Sequence, residues 1–408
     1  MFTYRQLLLA CFSLMTVSSV MAQRFDTDKP LQIVDRDEVK MKFGGRFYED
    51  AALYMGDDDA MKSGATIADA RVKVALEYGD NWLFYADFGF GDGKFSQKDI
   101  YMQYAKKSDK GAMNAIKVGH FFSPASSMEQ IVSTGSLHYI ACAGFTDAFS
   151  WGRELGATYK YSGKHLFAEQ GAFVENKYNS QENGDNGYSL AGRWIVRDVK
   201  EHSTMHLGVS ARYGHLGGGE QVYGYKKLKK TYTISQPLET YVDKTDSYVN
   251  AAIPWADRTY DLNAELLYNN HDIFLRGEYM HKWVHWAEPN YDARTAKFQG
   301  AYLEAGYQIF GGGYGYDEEE ALLKGNNART LEVVGRVSFT NLDNIENYTN
   351  IHIGAAAPAK TLEKLTSYTI GLNYAFNRYA QLMLSYTYHH TDMADNISVL
   401  QTRMQFVF

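Results

Sequence analysis

The sequence predicts an all-β fold, a transmembrane antiparallel β-barrel of about sixteen strands with a constriction loop folded inward. Three observations carry that prediction. From Lys42 to the C-terminus, apolar and polar residues alternate in segments of about ten, the length and period of barrel strands. The connections between these segments alternate between short and long. The N-terminus carries an export signal.

The export signal occupies residues 1–22. Arg5 gives a positive start, Leu7 to Val17 form an apolar run, and Ser18 to Ala22 end in Val20-Met21-Ala22, which places cleavage before Gln23. Leu8-Leu9-Ala10-Cys11 has the form of a lipoprotein cleavage box, but the apolar segment before Cys11 is too short for that reading to lead. No other apolar run is long enough for a transmembrane helix. The formal net charge of −7 becomes −8 once Arg5 is removed with no acid. Only Cys142 remains after cleavage, so no intrachain disulfide is expected. Tyr at 32, Phe at 22 and Gly at 36, against Pro at 6, suit an outer-membrane barrel better than a disulfide-stapled secreted domain.

Residues 23–41 read as an N-terminal periplasmic segment and 42–408 as the barrel. The candidate strands are 42–55, 66–79, 81–91, 97–105, 113–120, 151–161, 164–175, 187–197, 203–213, 258–270, 272–284, 297–310, 328–340, 366–376, 378–390 and 397–408. An even count is what a single-chain bacterial barrel requires. Short turns include Gly79-Asp80-Asn81, Ser162-Gly163, Asn269-Asn270-His271 and Asn377; long loops include 121–150, 214–257, 285–296 and 341–365. The segment 311–327 should be an inner turn yet is long. Asp317 ahead of Glu-rich and Ala-Leu-Leu sequence predicts one capped helical turn there.

Each strand has two chemically distinct faces. In the first, Phe43, Phe47, Ala51, Leu53 and Met55 oppose Lys42, Arg46, Tyr48 and Asp50. A soluble sandwich would turn the apolar face inward; a membrane barrel turns it to lipid. The export signal and the length of the chain favour the barrel. The last strand agrees, with Leu400, Met404, Phe406 and Phe408 on one face and a terminal aromatic. Trp82, Trp151, Trp283 and Trp286 stand at strand ends, where an interfacial aromatic girdle is expected.

The connection 121–150 runs for about thirty residues with no strand pattern, an unusual length for a compact domain. It holds Phe121, Phe122, Met128, Ile131, Leu137, Tyr139, Ile140, Phe145 and Phe149, so it needs a surface to pack on. In a barrel that surface is the inside wall, and the loop should narrow the lumen. Its candidate constriction residues are Phe121, Phe122, Pro124, Glu129, His138 and Asp147.

The polar strand faces place Lys42, Arg46, Arg71, Lys73, Lys117, Lys160, Arg193, Arg197, Arg212, Arg276, Arg336 and Arg403 inside, with eleven acids among them. Rings of cations favour anions only where they gather at the narrow zone. A wall of solvated cross-strand ion pairs is the alternative. Lys226, Lys227, Lys229 and Lys230 form a cationic cluster on 214–257; it could focus anions, contact lipopolysaccharide phosphates or simply be solvated. Net charge and export exclude a nucleic-acid partner. Asp57-Asp58-Asp59 lacks the spacing of a calcium loop, and His281 and His285, four apart on a strand, lie too far apart to share a metal. Ser133, Ser136 and His138 form no recognisable nucleophile motif, so no catalysis, metal or cofactor is expected.

The residues Val118-Gly119-His120-Phe121, Pro124, Met128-Glu129, Phe145-Thr146-Asp147-Ala148-Phe149 and Gly152-Arg153-Glu154-Leu155-Gly156 resemble the phosphate-selective porin O and P family of Gram-negative outer membranes. That resemblance implies a sixteen-stranded barrel, a homotrimer in outer-membrane lipid and lipopolysaccharide, inward loops, and cations that select phosphate among small hydrophilic solutes. The chain departs from the family's pattern within the loop. Ala141-Cys142 and Gly135-Ser136 stand where family members tend to carry charged pairs, and 121–150 holds no Lys or Arg. Constriction cations must then come from the wall or from 214–257. A weak anion preference that fades with salt is expected. The rival expectation is a ligand-binding or adhesion barrel whose loops seal the lumen.

Overall fold

The structure, a computed structural model, describes residues 31–408 apart from 37, 57–60, 133–135, 175–186, 218–220, 224–225, 229–231, 237, 244–248, 254, 287–293, 325–328, 343–363 and 392–395. The Asp57–Asp59 cluster, Lys229 and Lys230 lie outside the described residues, as do the side chains of Lys226 and Lys227.

Sixteen antiparallel strands form a closed barrel. They are β1 (Val39–Met55), β2 (Gly64–Tyr78), β3 (Trp82–Gly89), β4 (Ser96–Lys107), β5 (Met113–Phe122), β6 (Arg153–Ser162), β7 (Leu166–Val174) and β8 (Tyr188–Val199). The second half comprises β9 (Ser203–His215), β10 (Ala256–Asn270), β11 (Ile273–Trp286), β12 (Arg294–Phe310), β13 (Thr330–Asn341), β14 (Lys364–Ala375), β15 (Ala380–Thr391) and β16 (Ile397–Val407). Each pairs with the next, and β1 pairs with β16 from Arg46↔Val407 to Met55↔Ser398. Closure leaves no free sheet edge in the membrane, where unpaired backbone groups are costly.

The seam is closed by backbone and ring contacts of Phe408. Phe408 exchanges two backbone hydrogen bonds with Gly45, at 2.9 and 3.0 Å. A Cβ on Gly44 would lie 2.8 Å from the Phe408 carbonyl oxygen, and one on Gly45 2.7 Å from its ring. Both positions therefore require glycine. Below Gly45 the β1 edge is taken up by a short strand, Leu31–Arg36, paired from Leu31↔Phe43 to Arg36↔Val39. This is why β1 starts before Lys42.

The faces sort as in a membrane barrel. On β1, Phe47 and Met55 are 43% and 38% exposed, whereas Arg46, Tyr48 and Asp50 are at most 4% exposed. The outward belt is apolar: Ile116, Val118, Leu155, Leu190, Val196, Leu207, Leu303 and Ile370 all point out.

Two expectations require correction. Trp82 is exposed on the belt, but Trp151 and Trp286 are inside. Trp151 precedes β6 at Gly152, whose φ of +68° turns the chain, and its indole donates to Asp261 at 2.8 Å. Trp286 shares the inward parity of Glu278 and Lys282 on β11. The second correction is at 311–327. Its described residues, 311–324, form not a helix but a small hairpin, Gly315–Asp317 paired with Leu322–Lys324, that turns into the lumen. Asp317 does cap the turn, its Oδ1 accepting from the Glu319 and Glu320 amides at 2.9 and 3.1 Å.

The apolar core lies within the barrel, between its wall and inserted segments. One cluster joins Phe145 and Phe149 of the loop to Ile234, Leu238 and Ile253 of 214–257 and to Met280, Phe298 and Val284 of the wall. A second joins Met128, Leu137 and Tyr139 of the loop to Phe274 and Val334 of the wall and to Tyr314, Leu322 and Leu323 beside or within the inner hairpin.

Candidate functional site: the narrowed lumen

The constriction loop starts where β5 ends and folds inward, not out into solvent. Phe121, Met128, Phe145 and Phe149 are at most 3% exposed. Two short helices punctuate it, α1 (Met128–Ile131) and α2 (Gly144–Phe149). Phe121 packs edge-on against Tyr101 and Phe173 of the wall, with ring centroids 6.0 and 5.7 Å apart. Phe122 is half-buried beneath the Arg153 guanidinium, 4.2 Å from its ring centre. Pro124 is buried.

Polar anchors fix the loop to strands far away in sequence. Glu278 on β11 accepts from Ser127 Oγ at 2.6 Å, the Met128 amide at 3.1 Å, Asn263 Nδ2 at 2.8 Å and Tyr302 Oη at 2.8 Å. It thereby satisfies the first free amide of α1. Glu129 accepts from the Ala143 amide at 2.7 Å and from Arg336 at 3.0 Å. His138 pairs with Glu332 at 2.9 Å, its carbonyl accepts from Asn373 Nδ2 at 2.7 Å, and its ring lies 4.6 Å from Phe274. Gly300 on β12 leaves space for α2: a Cβ there would meet Phe145 at 2.3 Å.

The second long loop also enters. Glu239 accepts from the other Arg336 nitrogen at 2.7 Å, from Ser338 Oγ at 2.5 Å and from the Gly144 amide at 3.0 Å. Burial by itself would raise this carboxyl, but Arg336, His389 and the Ser338 hydroxyl outweigh it and hold it below the usual carboxylate range. One arginine thus ties two loops together.

All these anchors lie on one half of the barrel. Along the other half, from β1 to the start of β6, a cavity of about 690 Å³ remains between wall and loop. Arg46, Arg71, Lys73, Lys117 and Arg153 line it from the wall, with Asp87 and Asp99; Glu129, Asp147, Tyr241 and Glu320 line it from the inserted segments. Asp147 is exposed. Arg46 and Arg71 share Asp69 at 2.6 and 3.0 Å, Arg71 also reaches Asp87 at 3.1 Å, and Arg153 reaches Asp99 at 3.0 Å. Lys117 sits 5.1 Å from the Tyr101 and Phe121 ring centres. Among the described residues, neither Lys73 nor Lys117 has a carboxylate at ion-pair distance.

The other inward cations are covered or sit at the rim. Lys160 pairs with Glu320, Arg193 with Glu265 at 2.9 Å, Arg212 with Glu154 at 2.6 Å, Arg276 with Glu304 at 2.5 Å and Arg403 with Asp50 at 2.7 Å. Arg336 holds the two loops, Arg197 donates to the Glu318 carbonyl at 2.7 Å, and Lys42 pairs with Glu77 near the inner rim. Sequence reasoning did not single out Glu239, Arg153 or Glu320 for the site. Arg153 was visible as the first residue of the strand after the loop; Glu239 and Glu320 carried no local signal, because their partners lie about a hundred or more residues away.

A closed barrel with an apolar belt and a charged cavity left between its wall and its inserted loops is a porin of the outer membrane. The chain belongs to the family described as Phosphate-selective porin O and P, which matches residues 41–408. Among solved structures, the fold is similar to an anion-selective porin from Comamonas acidovorans, with TM-score 0.56 and 12% identity, covering 91% of this chain and 100% of that one. It is also similar to OmpT, an outer membrane protein of Vibrio cholerae, in a trimer form (TM-score 0.54, 11% identity, 91% and 100% covered). The outer membrane channel DcaP of Acinetobacter baumannii gives TM-score 0.53 at 12% identity, with 92% and 99% covered. An uncharacterized protein of Caulobacter vibrioides is 25% identical over 210 residues, which are 48% of this chain and 38% of that protein.

Proposed function

We propose that this porin passes small hydrophilic solutes by diffusion with a weak preference for anions, and that Lys73 and Lys117 supply that preference. The observation that carries this reading is the sorting of charge around the cavity. The arginines on its wall are neutralised by Asp69, Asp87 and Asp99, while Lys73 and Lys117 have no carboxylate at ion-pair distance among the described residues. Of the acids on the inserted side, Glu129 and Glu320 are engaged by Arg336 and Lys160, and Asp147 faces the cavity. Two lysines opposed by one exposed acid give a small positive excess. The anion-selective relative from Comamonas acidovorans supports the sign. The trimeric form of OmpT supports a homotrimer as the working unit, set in outer-membrane lipid and lipopolysaccharide.

The excess acts across water and is screened over about 8 Å at physiological salt. The two lysines do not form a dehydrating ring of the kind a selective filter needs. Reversal potentials in asymmetric KCl should therefore give an anion-to-cation permeability ratio above one that falls toward one as salt rises. Lys73→Gln with Lys117→Gln should remove the preference without changing the conductance at high salt. A chloride current blocked by micromolar phosphate would contradict the weak-preference reading, and a purified protein with no channel activity would favour a sealed ligand-binding barrel.

A further inference from the structure

The outward face of β8 to β12 carries charge that plays no part in the lumen. It lies at the end of the barrel where the connections are long, 175–187, 216–255 and 287–293, which is the outer end. Cross-strand pairing sets two rows there. The row at the rim runs Tyr188, His215, Arg258, His285 and Thr295. The row two residues nearer the middle of the membrane runs Leu190, Tyr213, Tyr260, Trp283 and Lys297. Neighbouring rings are close: Tyr188 lies 5.3 Å from His215, Tyr213 lies 5.3 Å from Tyr260 and Trp283 lies 4.1 Å from His281, centre to centre. Beneath the rows the face is apolar, with Trp194, Val209 and Leu262 all exposed.

Arg258 faces outward only because β10 is bulged. Ala256 pairs with Trp286, and both are buried on the lumen side; Arg258 pairs with His285, one residue back along β11. In regular pairing Arg258 would share the inward parity of Ala256. Asp257 is the extra residue, and a bulge of this kind re-aims the side chain beside it. Asp257 also holds the result in place. Its carboxylate meets His285 Nδ1 at 2.5 Å and lies 3.3 Å from Arg258 Nε, and an Arg258 Nη nitrogen lies 3.3 Å from the same imidazole. The Arg258 side chain nevertheless stays 41% exposed. Lys297 on β12 is exposed and has no carboxylate at ion-pair distance among the described residues. Asp257 is the single acid of this outward patch among the described residues.

We infer that this patch is a binding site for a phosphate-bearing lipid of the outer leaflet, with Arg258 and Lys297 as its anion ligands and the row from Tyr213 to Trp283 as the seat for the junction of headgroup and acyl chains. The inference deepens the membrane setting proposed above. Depth argues for the class of ligand. Amphipathic aromatic rings gather at headgroup level, and cations placed beside them meet lipid phosphate. Arginine suits that task, since its planar fork matches phosphate oxygens in pairs. A free phosphate ion would meet the same two charges but makes nothing of the apolar face beneath them, whereas a lipid occupies both. Arg258 and Lys297 stand two strands and two residues apart, a backbone separation of about 12 Å. That spacing addresses a headgroup spread across several strands, as the sugar–phosphate head of lipopolysaccharide is.

The test uses the full chain in detergent and native mass spectrometry, with lipid A as the probe against dephosphorylated lipid A and inorganic phosphate. The parent should hold the phosphorylated lipid more tightly than the dephosphorylated one. Arg258→Gln with Lys297→Gln should weaken the phosphorylated lipid about thirtyfold, or about five- to sixfold for each charge at the membrane surface, and leave the dephosphorylated lipid unaffected. Lys297→Gln alone should show the smaller loss, and it covers the case in which Arg258→Gln disturbs the bulge. Lys200→Gln, at the opposite end of the barrel, should bind like the parent. Equal binding of the two lipids by the parent overturns the proposal, and so does parental binding in the double variant. Displacement of the lipid by micromolar inorganic phosphate would assign the patch to a free anion and overturn the lipid. Conductance is read separately: a parent that holds the lipid but passes no current fails the porin reading and leaves the lipid site intact.

Discussion

Replacing Arg336 with methionine is the most direct perturbation of the constriction, because two loops meet on that one guanidinium. Its Nη1 holds Glu129 at 3.0 Å and its Nη2 holds Glu239 at 2.7 Å. All three side chains are at most 2% exposed. Methionine fills much of the space but takes their shared cation from both carboxyl groups, Glu239, which is held low, and Glu129, which burial pushes up to about 8. Removing one partner of a buried ion pair costs about 3–5 kcal/mol. The lower figure applies here, because Glu129 keeps Arg276 at 4.0 Å and the Ala143 amide, and Glu239 keeps Ser338 and the Gly144 amide. At about 3 kcal/mol per loop, the balance between docked and undocked loop shifts more than a hundredfold. The strand ladder is untouched, so the barrel itself should remain folded.

The assay is single-channel recording. Arg336→Met should give larger current steps and greater open-state noise than the parent. Arg336→Lys should fall between them, since an ammonium keeps the charge but cannot engage both carboxylates as a planar fork does. Adding Glu239→Gln to Arg336→Met should restore part of the quiet state by removing one uncompensated buried charge. Steps and noise identical to the parent in Arg336→Met would refute the idea that this arginine holds the loops.

Two further outcomes follow from the same geometry. Gly300→Leu places a side chain where Phe145 Cβ already sits, 2.3 Å from the new Cβ, so it should evict a fully buried phenylalanine worth about 1.5–3 kcal/mol and raise conductance; parental conductance would mean that α2 does not narrow the passage. The Glu239 anchor fixes a pH window: its carboxyl lies below its ordinary value of 4.5, so the anchoring is complete above that value and is lost as pH falls through the lowered one. Open-state noise should grow in acid as Glu239 takes up its proton; a separate change near pH 8, to which burial pushes the Glu129 carboxyl, belongs to the other loop, and noise that stays flat through strong acid would show that Glu239 does not hold its loop.

The strands were legible because their signal is local. Alternation at period two needs only neighbours in sequence, and all sixteen segments appear with shifts of a few residues at their ends. The inward set on β11 was legible in the same way. Trp286 could have been placed correctly, since it shares parity with Glu278 and Lys282, but its position at a strand end suggested a girdle instead. The insertion of 121–150 was readable from its apolar content. What it docks against was not. Ser127 meets Glu278 across 151 residues and His138 meets Glu332 across 194, and neither partner carries a mark distinguishing it from any other wall acid. The inner hairpin was misread because Asp317 caps a turn in both a helix and a tight hairpin, and the choice was made by Arg193 and Arg197, which take the carbonyls a helix would have kept for itself.

These placements divide the wall charges into two groups with different physical tasks. On the half of the barrel that receives the loops, cations are dry and matched to carboxylates or carbonyls. Such pairs bring little net stability but penalise any other register of the loop, because misdocking would strand a buried charge. On the open half, Lys73 and Lys117 line the cavity without a carboxylate at ion-pair distance among the described residues. In the proposed reading, Arg336, Glu278 and Gly300 hold the shape of the constriction, and Lys73 and Lys117 supply its charge. An outer-membrane channel arranged in this way can change which ions it favours by substituting a cavity-lining side chain, without disturbing the anchors that hold its constriction in place. The absence of Lys and Arg from 121–150 then has a physical meaning. In the proposed reading, the loop provides the narrowing and the opposite wall provides the field.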